Sequence, residues 1–453
     1  MNLNNKIIGV SAYNQIVMRN FFHSGLADRL KADGFHLKIF TYSFKKNNYE
    51  DLLRDKKIKI VSLSELEKNN IYERIVRRIF IILQKSHYSS FRHSELAGAT
   101  KYLTSLFSFL SISLNSRPLL KINFFLINLF RNILVLTRQK NKKLISELQE
   151  CHIFFSTDLF GEEDFKILSQ AESINIKTLS MVRSWDNCYS KGILRLAPHK
   201  IIVNNKDIKT ELIKLHFCTA ESIKIVGFPQ YDRFKKSEYL KKLAIKFANL
   251  NANNFILFCP AGDLLSKSDD DILQDLVDVL RELKLTDKYK IIVRNHPAHP
   301  AKIKERNKVQ ILKTGILYKE GQKFSDFSSE DTDLYNALLY FSDLVIHISS
   351  SVAVDSLAFK KHQIIINYDG HKELGYLNSV KRYHDEEHMQ FFINTKAPYL
   401  VNNFEELKNS VHKSLICNLK NKYIDREYIR RFDVNFGKSI DTISSVITNM
   451  ANN

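Results

Sequence analysis

Glycine and proline are scarce in this chain, with 13 and 7 among 453 residues. A loop-rich all-β design uses both at its many turns, so their shortage favours long regular elements. Cysteine is thin as well. Cys151, Cys188, Cys218, Cys259 and Cys417 are widely spaced, with no Cys-x-x-Cys pair. An odd, scattered set reads as reduced thiols rather than a disulfide framework or a zinc site. No run reaches the ~18 uninterrupted apolar residues that a membrane span requires. The nearest approach, Ile122 to Thr137, is broken by Asn128, Arg131 and Asn132. The opening MNLNNKIIGVSAYNQ lacks the apolar centre of a signal peptide, so a cytoplasmic location is expected. Three signatures are missing too. No Gly-x-Gly-x-x-Gly follows the first strand, and there is no P-loop and no Gly-x-Ser-x-Gly elbow. Their absence argues against a Rossmann dehydrogenase, a P-loop NTPase and an α/β-hydrolase.

Acidic residues are the remaining shortage. Lys and Arg number 68 against 49 Asp and Glu, a formal net charge of +19. Such a field attracts polyanions, whether nucleic acid, anionic lipid or phosphate-bearing substrates. The segment Ile71–Gln149 holds much of it, with thirteen basic and three acidic residues for a local net of about +10. Apolar runs interleave with that charge, such as Ile79–Leu83, Phe107–Leu110 and Phe124–Leu136. It reads as two to four basic, very apolar helices, either packed on the core or forming a surface that lies on an anionic inner leaflet. No nucleic-acid recognition motif accompanies the charge, so nucleic acid is not an expected partner.

Hydrophobic residues make up 44% and charged residues 26%, an ordinary globular composition. The length fits two domains of roughly 200 residues each. Short apolar runs alternate with helical patterns in both halves. In the first half, Ile7–Ser11, His36–Thr41, Lys57–Ser62, Cys151–Ser156, Lys177–Val182, Lys200–Asn204 and Ser222–Val226 read as strands. A helix is expected from Gln15 to Ala32. In the second half, strands are expected at Phe255–Cys259, Tyr289–Val293, Val309–Leu312, Leu344–Ile348 and Gln363–Asn367. The charged stretch Tyr231–Asn253 is the expected linker. These patterns predict residues 1–235 as one Rossmann-like domain, with a helical insert at about 68–149. Residues 250–430 are expected to form a second Rossmann-like domain. A terminal helix within 431–453 is expected to pack back on the first domain. Two doubly wound α/β domains facing a cleft is the GT-B architecture, and ligands of open α/β sheets bind beyond the carboxyl ends of the strands.

The polar clusters fall at such ends. Arg294-Asn295-His296-Pro297 follows one strand of the second half, Ser349-Ser350-Ser351 another, and Gly262 a third. Arg and His donate to phosphate, Arg in bidentate fashion, and a serine run opening a helix offers hydroxyls and free amides to an anion. In the first half, Arg183-Ser184-Trp185-Asp186-Asn187 precedes Lys191-Gly192 and, later, Gly227-Phe228-Pro229-Gln230-Tyr231-Asp232. Trp185 can stack on a sugar or base, Lys191 lies beside it, and Asp186 can accept a proton. Thr157-Asp158-Leu159-Phe160-Gly161-Glu162-Glu163-Asp164 crowds four carboxylates after one strand. Asp158 and Glu162 are candidate bases for deprotonating an acceptor hydroxyl, whereas Glu163 and Asp164 read as acids favoured in a helix's first turn. Asn14, Arg19 and His23 follow the first strand and are expected beside the acceptor. His384 and His388 stand at i and i+4, a spacing that suits a metal on one helix face. The intervening Asp385-Glu386-Glu387 also suits a solvated face, and no metal is expected.

The Arg-x-His-Pro after a strand, and the Ser-Ser-Ser before a small-residue helix carrying Asp355, resemble the CDP-glycerol glycerophosphotransferase group. They are similar also to bacterial capsule transferases that use CMP-activated sugars. The resemblance covers roughly Phe255 to Asp369. It implies that Arg294, His296, Pro297, Ser349, Ser350, Ser351 and Asp355 belong to a donor-nucleotide site, with a cytidine nucleotide as the donor's carrier. It further implies a metal-independent GT-B glycosyltransferase, with no cofactor beyond a nucleotide-activated sugar. The partner would be a bacterial surface glycan or a lipid-linked glycan. A CDP-polyol phosphotransferase of the teichoic-acid type, or a relative of the non-hydrolysing sugar epimerases, would fit the same features.

Overall fold

The computed structural model describes residues 6–52, 58–62, 71–84, 109, 113, 116–138, 140–297, 299–317, 325–348, 351–417 and 419–452. The chain divides into two compact units. The first comprises Met1–Asp232 and Val434–Asn453, the second Arg233–Asp433.

The first unit is built on a seven-stranded sheet. Its strands are β1 (Ile7–Ser11), β2 (His36–Thr41), β3 (Ile58–Ser62), β4 (Ile153–Ser156), β5 (Lys177–Met181), β6 (Lys200–Val203) and β7 (Ile223–Ile225). The order is β3-β2-β1-β4-β5-β6-β7, and every pairing is parallel. Sequences such as Ile-Phe-Phe-Ser in β4 are apolar on both faces because helices cover a parallel sheet on both sides. The order reverses between β1 and β4, which leaves a crevice at their carboxyl ends.

The helix expected over Gln15–Ala32 is divided. Met18–Phe22 forms a wide π-type turn, and a regular helix begins only at Leu26. The break falls at Gly25, whose backbone is left-handed (φ +95), a conformation that cannot continue a right-handed helix. Beside it the Ser24 hydroxyl donates to the Asn20 carbonyl at 2.8 Å and accepts from the Leu26 amide at 3.2 Å.

The helix Ser439–Asn452 belongs to this first unit. Ile443 and Ile447 are fully buried among Ile8, Leu26, Leu30 and Phe155. Buried Asp232 fastens its start, accepting from the Gly437 amide at 3.0 Å, the Ser439 hydroxyl at 2.7 Å and the Ile440 amide at 2.9 Å. Gly227 (φ +88) makes room for this return, since a Cβ there would stand 2.5 Å from Ser439 Oγ. The Gly-x-x-x-x-Asp spacing is therefore a latch for the terminal helix. Asp232→Ala is expected to cost about 2 kcal/mol, as a helix cap with charge-assisted bonds does. Thermal denaturation checks this, and an unchanged midpoint would contradict it.

Within the insert, helices Ile71–Leu83 and Leu120–Leu136 pack together through Val76, Phe80, Leu83, Ile127 and Leu134, and against Phe165 and Ile193. Of the apolar run expected at Phe107–Leu110, all but Phe109 lies outside the described residues. Among the described residues, no helix is long and apolar enough to cross a membrane.

The strands of the second unit are β8 (Phe255–Cys259), β9 (Lys290–Arg294), β10 (Val309–Leu312), β11 (Ile316–Leu317), β12 (Ser325–Asp326), β13 (Leu344–His347), β14 (Gln363–Ile366) and β15 (Tyr399–Val401). β11 and β12 form a separate antiparallel pair. The other six make a parallel sheet of order β10-β9-β8-β13-β14-β15. This is the doubly wound dinucleotide-fold order, with its reversal between β8 and β13. The stretch expected as a linker is instead largely helical, at Ser237–Lys246 and Ala248–Asn251. It is anchored inside the second unit, where the Tyr239 hydroxyl donates to Asp333 at 2.9 Å and accepts from Asn336 at 2.9 Å. Its many lysines coat the outer face of an amphipathic helix, which is why composition alone resembles a linker. Two Rossmann-like α/β units of this kind make up the GT-B fold.

Candidate functional site

In the second unit, β8, β9 and β13 deliver their last residues to one end of the sheet. Gly262 follows β8. Its amide donates to Asp269 Oδ2 at 2.9 Å, and the Ala261 amide donates to Asp269 Oδ1 at 3.1 Å. Burial pushes the Asp269 carboxyl up to about 6. Gly262 also has φ +90, and a Cβ there would lie 2.1 Å from the His299 carbonyl oxygen. Its place in the site is thus one of close loop approach, with its amide already committed to Asp269.

Arg294 ends β9. Its guanidinium lies 4.0 Å from the centre of the Tyr335 ring and 5.9 Å from that of Phe327. Among the described residues no carboxylate pairs with it and no hydrogen bond engages its N–H groups. A half-buried guanidinium stacked on a ring keeps its donors at its edge, the geometry that suits a phosphate.

His296 is half-buried, and its Nδ1 accepts from the His299 amide at 3.1 Å. Burial chiefly, with His299 and Arg294 nearby, holds the imidazolium down to about 4. The ring is therefore neutral at ordinary pH, and with Nδ1 accepting, its proton sits on Nε2. The turn is braced by Asn295, whose Oδ1 accepts from the Ala301 amide at 2.9 Å. Pro297 is buried, and Gly315 leaves it space, since a Cβ there would stand 2.6 Å from Pro297 Cβ. Pro297 shapes the turn that presents His296.

Ser349 and Ser350 lie outside the described residues. Ser351 is exposed and stands just before the short helix Val352–Ala358. Asp355 in that helix is buried and accepts from the Tyr335 hydroxyl at 2.9 Å. His384, from the possible metal pair, meets Asn367 Oδ1 at 2.7 Å and the Ile348 carbonyl at 3.0 Å. It braces the chain just after β13. Among the described residues no group of three or more His, Cys, Asp or Glu could hold a metal ion.

In the first unit, the β1–β4 reversal gathers Ser11, Ser156, Thr157, Asp158 and Asp164. The Thr157 amide donates to Ser11 Oγ at 2.8 Å. Asp164 Oδ1 accepts from the Ser11 hydroxyl, from the Ser156 hydroxyl at 2.9 Å and from the Asp158 amide at 3.2 Å. Burial first, then the nearby Asp158 charge, pushes the Asp164 carboxyl up to about 7. Asp158 is buried too, and Arg183 Nη1 lies 2.8 Å from its Oδ2. The Phe160 amide donates to Asp158 Oδ1 at 3.2 Å.

The remaining candidates are less gathered. Glu162 pairs with Arg77 of the insert. Asp186 accepts from Ser184 at 2.5 Å and Ser190 at 2.7 Å, shaping the turn into the helix Asn187–Ser190. Trp185 is half-buried beside it, and Lys191 is exposed after that helix. Asn14 Oδ1 accepts from the Ile16 amide at 2.9 Å, a turn bond. Arg19 donates to Asn20 at 3.2 Å, and His23 closes the π-type turn through its amide.

Two residues escape sequence reasoning. Asp164 reads as one more acid in a first turn, yet it is the most buried carboxylate of its cluster. Tyr335 sits within the helix Ser329–Phe341, and no local signal sets it apart from other aromatics. Only the fold brings it under Arg294.

No family model matches this sequence, and no curated protein matches it. Solved structures do resemble its fold. A UDP-GlcNAc 2-epimerase from Methanocaldococcus jannaschii is 13% identical with a TM-score of 0.53, over 98% of this chain and 99% of that one. A UDP-GlcNAc 2-epimerase from Neisseria meningitidis, bound to UDP-GlcNAc, is 10% identical with a TM-score of 0.52, over 98% and 100%. The wall teichoic acid polymerase TagF is 12% identical with a TM-score of 0.52, over 99% and 89%.

Proposed function

We propose that the chain is a glycosyltransferase that binds a nucleotide-activated sugar, CMP-linked in the first instance, in its second unit. The observation that carries this is Arg294, a stacked guanidinium without an anionic partner among the described residues, beside the neutral Nε2–H donor of His296. Arg294 ends β9 and His296 follows it, next to the reversal of a dinucleotide-type sheet. Donors fixed in advance stabilise the charge that grows on a departing nucleotide phosphate. The nucleotide sugars and teichoic-acid chemistry named for the fold's neighbours agree with this reading. On the acceptor side a carboxylate of the first unit serves as base, drawn from Asp158, Glu162 and Asp186. Asp158 is the one at that unit's own strand-order reversal. Turnover of CMP-sugars, UDP-sugars and CDP-glycerol tests the reading. Release of a cytidine or uridine nucleotide from a sugar donor supports it. Turnover of CDP-glycerol alone would overturn the sugar assignment in favour of polyol-phosphate transfer, and epimerised free product without transfer would favour the epimerase chemistry.

The acceptor is proposed to be a surface glycan, met at an anionic bilayer. On the insert, Ile71, Tyr72 and Ile75 on one helix, and Ile122, Phe125, Leu129 and Leu136 on the other, are exposed. Arg74, Arg78 and Lys121 are exposed among them. Apolar side chains interleaved with cations match a membrane surface of negative charge. The double substitution Phe125→Glu and Leu129→Glu is expected to lower binding to phosphatidylglycerol vesicles by about tenfold or more, since each large side chain gains about 1.5–3 kcal/mol on burial. Vesicle flotation checks this. Equal flotation of both proteins, or none of either, would contradict it.

A further inference from the structure

We infer that Tyr335 and Asp355 are positioning residues for Arg294, so that Asp355 serves the nucleotide site through Tyr335 rather than by touching the ligand. The inference rests on the donor-site reading above. Three elements contribute to the arrangement. Arg294 closes β9, Tyr335 lies in the helix Ser329–Phe341, and Asp355 lies in the helix after β13. Tyr335 is 6% exposed and Asp355 2%. The ring of Tyr335 carries the guanidinium at 4.0 Å, and its hydroxyl donates to Asp355 Oδ2 at 2.9 Å.

The electrostatics of Cys259, at the end of β8, place the same groups together. Burial pushes its thiol up to about 12, with Arg294 opposing and Asp355 adding to the rise. A guanidinium left to itself samples many rotamers, and ordering it on binding costs entropy. Here one face lies on a ring whose own orientation is tied to a buried carboxylate. The N–H edge is left as the part that meets a ligand. Asp355 is buried and engaged with the ring it holds, which suits support rather than contact.

Titration calorimetry with CDP and cytidine, and with UDP and uridine, tests this. Tyr335→Phe keeps the ring and drops the tether, and is expected to weaken the nucleotide about threefold while leaving the nucleoside unchanged. Tyr335→Leu removes the ring and is expected to weaken the nucleotide about tenfold. Asp355→Ala should match Tyr335→Phe, and Asp355→Asn, which still accepts the hydroxyl, should restore near-normal affinity. In an Arg294→Ala background the Tyr335 substitutions should have no further effect, because their target is gone. If Tyr335→Leu does not fold, the Phe and Asp355 variants decide. Nucleotide binding that Arg294→Ala weakens but no Tyr335 or Asp355 variant alters would overturn the positioning role and leave the donor site standing. So would losses that persist unchanged without Arg294. Wild-type protein that binds no nucleotide would overturn the donor-site reading and this inference with it.

Discussion

Arg294→Ala is expected to weaken binding of a nucleotide diphosphate by about a hundredfold, on the order of 3 kcal/mol, because it removes a bidentate charge-assisted contact. The effect should be large because the guanidinium is already oriented over Tyr335 and, among the described residues, has no carboxylate to leave. Stability should change little, since the lost contacts are with the Tyr335 and Phe327 rings and, among the described residues, no ion pair. Arg294→Lys keeps the charge but not the planar fork, and should recover only part of the loss. Calorimetry gives the affinities and thermal denaturation gives the control. An Arg294→Ala protein with unaltered affinity would remove the residue from the site.

The second large effect concerns folding. Asp164→Ala is expected to destabilise the first unit by about 3 kcal/mol or more, because it leaves buried donors without their acceptor. Ser11, Ser156 and the Asp158 amide all point at one oxygen of Asp164. Asp164→Asn keeps an acceptor and should be milder. The pair also separates by pH. The folded-state carboxyl is raised from 3.8 to about 7, so the folded chain holds this proton more tightly than the unfolded one. Stability from this group is therefore present at low pH and lost as pH rises across that window. The wild-type midpoint should fall relative to that of Asp164→Asn between about pH 4 and 7. Taking the difference between the two proteins cancels the histidines whose burial acts in the opposite direction. Parallel curves would show that Asp164 does not titrate there.

Much of the fold was legible because parallel strands announce themselves. Phe255–Cys259 and Leu344–Ile348 are short apolar runs ended by polar turns, and helical patterns separate them. The candidate site was legible where a polar cluster meets a strand end, as the placement of Arg294 and His296 at the end of β9 shows. It was obscured where a residue's partner is distant in sequence. Asp164 meets Ser11 across 153 positions, and Asp232 meets Ser439 across 207. Nothing near Asp232 marks it as the cap of a helix at the far end of the chain. Composition misled at Tyr231–Asn253, where lysines on one helix face resemble a solvated linker. The helical pattern over Gln15–Ala32 also passes over Gly25, whose left-handed backbone breaks it. Gly262 shows the remaining gap. A glycine after a strand suggests an amide for phosphate, yet the carboxylate of Asp269 already occupies that amide.

The central claim is that the phosphate of a nucleotide sits against Arg294 and His296 at the end of β9. A crystal structure of the protein with CMP, CDP or UDP tests it most directly. The account predicts a phosphate oxygen within hydrogen-bonding distance of the Arg294 guanidinium and of His296 Nε2, with the Arg294 plane still resting on Tyr335. A nucleotide bound with its phosphate away from both residues would contradict it.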